Sequence, residues 1–264
     1  MTHQSRIHPT AVISAEAEIA DDVTIGPYTV IEGPVHIGAG TVIGPHVHLL
    51  GPLTMGTGNR IHTGAVIADS AQHLRCDVKG GVVIGNNNVI REHVTIHSAT
   101  QADHPTTIGD HNFLMAHSHV AHDCTVGNHC ILTNGALLGG HCVMEDSVYL
   151  SGNTAMHQFC RVGRLALLCG LSVVTKDIPC FSMVQGFNTI VNLNIVGMRR
   201  AGMTNEQIET MRKVYRILFR EGRPVSASVE LVERAFGHLP EIAELLVFIR
   251  GSKRGIVAHT PKAA

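Results

Sequence analysis

Three short segments between residues 115 and 160 combine histidine with glycine, aspartate or glutamine. They read MAHSHVAHDCTVGNHC (115–130), GGH (139–141) and AMHQF (155–159). In the first segment His122 directly precedes Asp123, and a carboxylate beside an imidazole can orient the ring and raise its basicity. In the second, Gly140 can offer a backbone N–H to a developing oxyanion. The pattern indicates a general base close to an oxyanion donor.

The elements that position these residues follow from a six-residue period. A large aliphatic residue stands at every sixth position in three runs, which cover residues 7–67, 84–96 and 108–174. The phase is lost across 68–83, and a polar stretch interrupts it at 97–107. Neither the 3.6-residue period of a helix nor the alternation of a strand explains this spacing. A hexapeptide period is typical of a narrow prism in which each repeat supplies a short strand and a corner.

Two positions of each repeat are expected to point into the prism: the aliphatic residue and the fourth residue after it, which is usually small or β-branched. The residue directly after the aliphatic one is often glycine, for which we expect backbone geometry that side chains resist. Four cysteines occupy the small inward position and are predicted to fill space rather than act as nucleophiles. They are Cys124, Cys130, Cys142 and Cys160.

Three hexapeptides complete one coil, so residues one coil apart stack at about 4.8 Å, the spacing of paired strands. By this rule His122, Gly140 and Gln158 share one column, and His141 and His157 lie in the two columns beside it. We predict that the three histidines and Gln158 lie within roughly 10 Å of one another. For other outward histidines a solvated corner is the simpler interpretation, because histidine tolerates turn geometry.

The pattern becomes helical after about residue 190. Thr204 and Gln207 have the spacing of a capping box, and apolar residues follow on one helical face until Gly222. Two further helices are predicted at 226–237 and 240–250. The predicted domains are a β-helix over 1–190 and a small helical domain over 191–264.

Composition narrows the class of protein. Net charge is −1, so no basic field favours nucleic acid. The N-terminus lacks a signal-peptide pattern and no apolar run is long enough to span a bilayer, so we expect a cytoplasmic protein without stable membrane insertion. Charged residues make up only 16% of the chain, against roughly 25% in typical soluble domains. Such a low fraction is consistent with surface covered by neighbouring subunits.

The histidine segments, together with VIREHVTIH (89–97), NIVGMRRAG (194–202) and KRGI (253–256), resemble the UDP-N-acetylglucosamine O-acyltransferases that begin lipid A synthesis. The resemblance spans essentially the whole chain. It implies a left-handed parallel β-helix and a homotrimer with its active site between protomers. It also implies transfer of a (3-hydroxy)acyl chain from acyl carrier protein to the 3-position of a UDP-activated glucosamine, with no cofactor and no metal.

The same resemblance implies roles for individual residues. His122 is expected to be the general base, oriented by Asp123, with Gly140 as oxyanion donor and His141 lining the site. Gly170 matches the position that limits acyl length, and a glycine there leaves room for a long chain. A larger set is expected to contact the nucleotide sugar. It comprises His73, Arg75, His119, His157, Gln158, Asn194, Arg199 and Arg200.

The chain departs from the family pattern where nucleotide-sugar recognition is expected. His73 and Arg75 stand where the family usually has aspartate and lysine, and Val196 and Ala201 stand where it often has glutamate and arginine. A 3-amino-sugar acceptor is therefore an alternative. A zinc protein of the γ-carbonic anhydrase type is another, because His117 and His122 have the spacing of such zinc ligands. A non-catalytic trimeric scaffold is a third.

Overall fold

The fold is a three-sided prism of stacked parallel coils, followed along the chain by helices that share its core. It is seen in a computed structural model that describes residues 6–74, 76 and 80–258. Within these residues the strands form three sheets of nine, eight and ten strands, and up to Val173–Val174 each strand along the chain belongs to the sheet after that of the strand before it. The predicted hexapeptide β-helix is confirmed.

The strands of each face have the following bounds, in chain order. The first face contains Val12–Ile13, Val30–Glu32, His48–Leu50, Val66–Asp69, Thr95–His97, His119–Val120, Leu137–Leu138, Ala155–Met156 and Val173–Val174. The second contains Glu18–Ile19, Val35–Ile37, Leu53–Met55, Val82–Ile84, Thr106–Ile108, Thr125–Val126, Val143–Met144 and Arg161–Val162. The third contains Thr24–Ile25, Val42–Ile43, Arg60–Ile61, Val89–Ile90, Phe113–Leu114, Ile131–Leu132, Tyr149–Leu150, Leu167–Leu168, Ser182–Val184 and Ile190–Leu193.

The aliphatic residue of each repeat forms the core, as predicted. From Ile25 to Val174 these side chains are almost completely buried, whereas Ile7, at the N-terminal end of the prism, is 38% exposed. Small fourth residues such as Thr29, Thr41 and Ala136 are buried beside them, whereas Ala11 and Ala17 at the N-terminal end are only partly buried. Burial of an aliphatic side chain contributes roughly 1.5–3 kcal/mol, so the period itself stabilises the prism. The four inward cysteines are buried, and burial raises the pKa of both Cys130 and Cys160 to about 12.

The glycine that often follows the aliphatic residue is required for a different reason from the one predicted. None of these glycines within the described chain has a positive φ. Instead they meet the next coil closely: a β-carbon on Gly26 would lie 2.7 Å from the carbonyl carbon of Gly44. The positive φ falls two residues later, at corners occupied by residues such as His117 (60°) and His141 (60°). Histidine accepts this conformation better than β-branched residues do.

Two insertions lengthen the coil at the same corner of the prism. Most paired residues are 18 apart, but Val66 pairs with Thr95 and Thr95 with His119. The extra residues lie between Asp69 and Val82 and between His97 and Thr106, where the chain turns from the first face to the second. The described residues of the two breaks therefore lie at one corner outside the repeat, and the pairing of strands continues on either side of them.

Four helices follow the prism in the described chain: α1 (Ile195–Arg200), α2 (Asn205–Phe219), α3 (Val225–Phe236) and α4 (Pro240–Arg250). The capping box is confirmed, since the Thr204 hydroxyl accepts from Gln207 N and the Gln207 side chain accepts from Thr204 N. Buried side chains of prism and helices belong to one continuous core. The division at residue 190 remains a prediction. None of the helices in the described part of the chain is both long and apolar enough to span a bilayer.

Candidate active site

The predicted catalytic residues gather at the corner between the first and second faces. This histidine corner consists of the turns that follow Asp69, His97, Val120, Leu138 and Met156 in five successive coils. The first two turns, after Asp69 and His97, contain the insertions. The next three, after Val120, Leu138 and Met156, are ordinary four-residue corners and carry the histidine segments. The insertions therefore build one wall of the site without changing the core.

His122 and Asp123 form a buried pair in the third of these turns. The Nδ1–H of His122 donates to Oδ2 of Asp123 at 2.6 Å, and the two side chains are only 9% and 8% exposed. The neutral ring that donates through Nδ1 has its lone pair on Nε2. Among the described residues Nε2 has no hydrogen-bond partner, so this nitrogen can accept a proton from a substrate.

Asp123 is itself held by the loop below. The backbone N–H of Thr100 donates to Oδ1 and its hydroxyl donates to Oδ2, both at 2.9 Å. The Asp123 N–H donates to the Thr106 hydroxyl at 2.8 Å, which fixes the positive-φ backbone. Burial favours the neutral carboxyl, but the hydrogen bonds from His122 and Thr100 outweigh it and hold the pKa of Asp123 below its usual value. The orienting group is thus an anion.

Gly140 lies one coil after His122 in the same column, as the stacking of residues one coil apart predicted. A β-carbon on Gly140 would stand 2.5 Å from Cε1 and 2.7 Å from Nε2 of His122. The carbonyl of Gly140 accepts from Phe159 N at 2.9 Å, whereas its N–H donates to no group among the described residues. A free backbone donor beside the basic nitrogen is an arrangement that can stabilise an oxyanion.

Two further histidines surround the pair. The ring of His141 lies edge to face with His122 at 5.2 Å, and its Nε2 is 3.5 Å from Asp123 Oδ2. Burial lowers the pKa of His141, although Asp123 opposes this. The ring of the exposed His73, from the first insertion, also lies edge to face with His122, with 5.7 Å between the ring centres. His122 is therefore buried by neighbours outside the prism and is not a solvated corner residue.

His119 projects from the first face beside this corner. Its Nδ1 is 2.7 Å from the Thr95 hydroxyl, and its ring packs edge to face against His97 at 4.8 Å. Burial, with smaller effects of His97 and His122, lowers the pKa of His119 to about 4. His119 is accordingly neutral near pH 7 and acts there as a hydrogen-bonding group rather than a cation.

His157 and Gln158 lie on the upper side of the corner and are exposed. The Nδ1 of His157 is 3.1 Å from the carbonyl of Gln158 and 3.2 Å from a guanidinium nitrogen of Arg254. The predicted neighbourhood of His122, His141, His157 and Gln158 is thus one corner in three consecutive coils.

Asn194, Arg199 and Arg200 lie elsewhere on the chain. Asn194 caps α1, where its Oδ1 accepts from Gly197 N, and the two arginines end this helix. Asn194 and Arg200 line a groove of about 510 Å³ over the third face. Its other lining residues are Ile131, Ser147, Tyr149, Leu165, Leu167, Val196, Gly197 and Ala201. The third face is separate from the histidine corner, so a single copy of the chain does not bring these residues to His122.

Gly170 lies at a third place, the exposed corner that leads from the third face to the first. A β-carbon there would meet Gly152 O at 3.5 Å, an ordinary contact, so the position has room beside it. Arg75 lies outside the described residues. The predicted site residues therefore divide into a histidine corner, a groove under α1 and the Gly170 corner.

Comparison with known proteins agrees with this architecture. Residues 177–257 match the family described as "Udp N-acetylglucosamine O-acyltransferase; Domain 2", and residues 105–140 match "Bacterial transferase hexapeptide (six repeats)". A protein of Ectopseudomonas mendocina named acyl-[acyl-carrier-protein]–UDP-N-acetylglucosamine O-acyltransferase is 44% identical over 257 residues, covering 96% of this chain and 99% of the relative. The chain belongs to this O-acyltransferase family.

Solved structures of other acyltransferases superpose over the full chain. A UDP-N-acetylglucosamine acyltransferase from Francisella novicida is 35% identical with a TM-score of 0.92, and the match covers 97% of this chain and 95% of that one. The Bacteroides fragilis enzyme is 39% identical with a TM-score of 0.91, covering 95% and 99%. The predicted family, fold and enzyme class of this acyltransferase are confirmed.

The carbonic-anhydrase interpretation rested on His117 and His122, and the structure does not bring these two residues together. His117 lies at the corner between the third and first faces and stacks on His93 at 5.2 Å, one corner away from His122. Among the described side chains, two groups have the composition and spacing to hold an ion. One consists of His122, Asp123 and His141, and His117 belongs to neither. The relatives named above are acyltransferases.

Several side chains that support the acyltransferase site were not among the residues predicted from the sequence. Thr100 and Thr95 belong to this set, as do the buried His97 and Arg254. A usable signal existed for Thr100, because the polar interruption at 97–107 begins at the corner that carries His122 one coil later. Arg254 is 97 residues from His157, and no repeat phase connects them.

Proposed function

We propose that this protein transfers a (3-hydroxy)acyl chain from acyl carrier protein to the 3-hydroxyl of UDP-N-acetylglucosamine, the first step of lipid A synthesis. The observation that carries the proposal is the buried His122–Asp123 pair beside Gly140; within the described chain, neither Nε2 of His122 nor the N–H of Gly140 has a hydrogen-bond partner. The names of its full-length relatives supply the two substrates.

The proposed reaction begins with proton abstraction. Nε2 of His122 takes the proton of the sugar 3-hydroxyl as its oxygen attacks the thioester carbonyl carbon, forming the new C–O bond. The ionised Asp123 stabilises the resulting imidazolium through Nδ1–H. When the tetrahedral intermediate collapses, the C–S bond breaks and His122 returns the proton to the departing thiolate. Proton and electron pairs balance without a covalent enzyme intermediate.

Gly140 is proposed to stabilise the intermediate. Its backbone N–H would donate to the oxygen that was the thioester carbonyl, where negative charge develops. His141 and His73 each pack edge to face against the His122 ring and would limit access of water to it. His119 and His157 are proposed to contact the sugar, with His119 in its neutral form.

The nucleotide is proposed to bind across a protomer boundary in a homotrimer. Asn194 and Arg200 lie at the groove under α1, and Gly170 lies on a third corner of the prism. A substrate that uses all three places must lie between neighbouring subunits. Arg200 and Arg199 would then face the diphosphate of the neighbour's substrate, for which guanidinium is well suited. Gly170 would leave room for a long acyl chain.

The 3-amino analogue of the acceptor remains the second candidate. It is favoured by His73, because this residue meets the His122 ring directly and stands where acceptor recognition is expected. An amine acceptor uses the same base, the same oxyanion donor and the same donor thioester, so it changes the acceptor contacts alone. The cytoplasmic location is a prediction that goes with both acceptors.

An acyl-transfer assay with purified protein tests the proposal. Hydroxyacyl carrier proteins of several lengths are offered with UDP-N-acetylglucosamine or its 3-amino analogue, and the acylated product is measured by mass spectrometry. We expect transfer by the wild type and a loss of roughly 10²–10⁴-fold in His122→Ala. His36→Ala is the matched control, since His36 is an exposed second-face histidine near Glu18. A folded wild type that transfers no acyl chain to either acceptor contradicts the proposal.

A further inference from the structure

Residues 252–257, near the end of the described chain, are held by hydrogen bonds to a buried aspartate in the last coil of the prism; we call this attachment the clip. Asp177 is fully buried, and its Oδ2 accepts from the Ser252 hydroxyl at 2.7 Å. Its backbone N–H donates to Gly255 O and its carbonyl accepts from Val257 N, both at 2.9 Å. Ile256 forms a parallel bridge with Asp177. The chain is therefore held before residue 254 by Ser252 and after it by Gly255 and Val257, which fixes the position of residue 254.

The side chain of Arg254 leaves this clip and reaches the histidine corner. Its Nε and one terminal nitrogen donate to Thr175 O at 3.3 and 3.1 Å. The same terminal nitrogen is 3.2 Å from Nδ1 of His157. Arginine has donors and no acceptor, so Nδ1 must accept in this contact. The guanidinium is thereby aimed at one ring nitrogen of a residue in the proposed sugar site.

The same Nδ1 also lies 3.1 Å from the carbonyl of Gln158. A carbonyl only accepts, so that contact requires a proton on Nδ1. The two contacts exclude each other: Arg254 favours the tautomer with Nδ1 bare, and Gln158 favours the one with Nδ1 protonated. A protonated Nδ1 would also direct its N–H at a permanent cation.

We infer that Arg254 is a positioning residue that selects the tautomer of His157. With Nδ1 accepting from Arg254, the proton resides on Nε2, and His157 presents a donor to the substrate. Without Arg254, Nδ1–H donates to Gln158 O and Nε2 becomes an acceptor. The inference assigns a function to the KRGI segment, and its kinetic consequence rests on the proposed acyl transfer.

The tautomer can be measured without substrate. The ring ¹⁵N shifts of His157 distinguish a protonated from a bare nitrogen, and the resonances are assigned by their absence in His157→Ala. We expect Nε2 to be protonated in the wild type and Nδ1 to be protonated in Arg254→Met. Lys253→Met is the matched control, because it removes one exposed charge from the same segment. An unchanged tautomer in Arg254→Met overturns the inference, whatever the enzyme's activity.

Steady-state kinetics then test the consequence for the reaction. We expect Arg254→Met to raise KM for the UDP-sugar by about fivefold to tenfold, the effect of one lost neutral hydrogen bond. KM for the acyl carrier protein should not change, Lys253→Met should behave as wild type, and Arg254→Lys should recover part of the loss. In a His157→Ala background Arg254→Met should add little, since Arg254 acts through His157.

The two proposals fail differently. The positioning role is overturned if Arg254→Met raises KM for the UDP-sugar equally in the wild-type and His157→Ala backgrounds. It is also overturned if Arg254→Met and Lys253→Met change KM equally. In both cases the proposed acyl transfer stands. A wild type without acyl transfer overturns the proposed function, and the ¹⁵N experiment still decides the tautomer. Melting temperatures of all variants show whether a substitution has loosened the attachment of residues 252–257 to Asp177. Ser252→Ala is the reference for such loosening, because it removes the hydroxyl that donates to Asp177.

Discussion

The ring of His122 packs against Gly140 so closely that the two positions constrain each other: a β-carbon on Gly140 would lie 2.5 Å from Cε1 and 2.7 Å from Nε2. Gly140→Ala must therefore move the ring away from the free N–H of residue 140. We expect kcat to fall by about 10²-fold or more, the size of the loss when an oxyanion donor is removed. The assay is acyl transfer, with circular dichroism to confirm the fold.

Gly152→Ala is the control for this substitution. Gly152 is also a corner glycine, but the nearest atom to an added β-carbon there is 3.6 Å away, an ordinary contact. Activity and melting temperature should stay close to those of the wild type. Equal activity of Gly140→Ala and Gly152→Ala would show that the contact between residue 140 and His122 has no part in the reaction.

Thr100 is the second position at which a small change should reach the catalytic pair. Thr100→Val removes the hydroxyl that donates to Asp123 Oδ2 and keeps the backbone N–H bond to Oδ1. We expect a fall of about tenfold in kcat, since a hydrogen bond to a charged group is lost. Thr107→Val, whose hydroxyl donates to Pro105 O on the second face, should leave kcat unchanged. A normal kcat in Thr100→Val argues against an oriented Asp123.

The pH dependence of stability should reflect the buried histidines. Burial lowers the pKa of His119 from 6.5 to about 4. Between these values the unfolded chain binds a proton at this position and the folded chain does not, so stability falls as pH is lowered through this window. The pKa values of His97 and His141 are also lowered by burial, in the same direction.

Melting temperatures at pH 7, 6, 5 and 4 test this expectation. His119→Gln cannot titrate and should lose less stability on acidification than the wild type, while part of the loss remains because of the other buried histidines. His129→Gln removes an exposed, stacked histidine and should keep the wild-type slope. An identical slope in His119→Gln and the wild type would contradict the lowered pKa of His119.

A site shared between protomers predicts complementation. His122→Ala and Arg200→Ala damage residues on different sides of the prism. Each variant alone should be nearly inactive. Co-expressed in equal amounts and assembled at random, they should recover roughly a quarter of wild-type activity, because some boundaries join an intact histidine corner to an intact groove. Mixed assemblies without recovered activity, at a confirmed trimer mass, would place both residues in one protomer's site.

Most of the fold could be predicted from one regularity. The six-residue period places Ile25 and Cys124 in the core and stacks Gly140 on His122, because each follows from position within the repeat. Period alone could not reveal why glycine follows the aliphatic residue. Gly26 is needed because the next coil lies too close for a β-carbon, which is a relation between coils rather than a property of the local backbone.

The site was predictable only as far as the period extends. His122, His141 and Gln158 obey the stacking rule and could be grouped from the sequence. Thr100 lies in an insertion, where the phase is interrupted, and Arg254 comes from a segment that returns to the prism after four helices. Contacts of this kind depend on how a loop or terminus packs, and neither hydrophobic spacing nor stacking specifies that.

The end of the third face has a consequence for the behaviour of the whole chain. Its last strand, Ile190–Leu193, is the single antiparallel member of the described sheets, and it pairs with Ser182–Val184 just before α1. A prism of identical parallel coils that stopped abruptly would leave unpaired N–H and C=O groups able to template another chain, as in fibrils. Because Ile190–Leu193 runs in the opposite direction, the third face does not end in a parallel strand that another prism could continue. The reversed last strand therefore opposes the stacking of a second prism on this face in the parallel register of the coils.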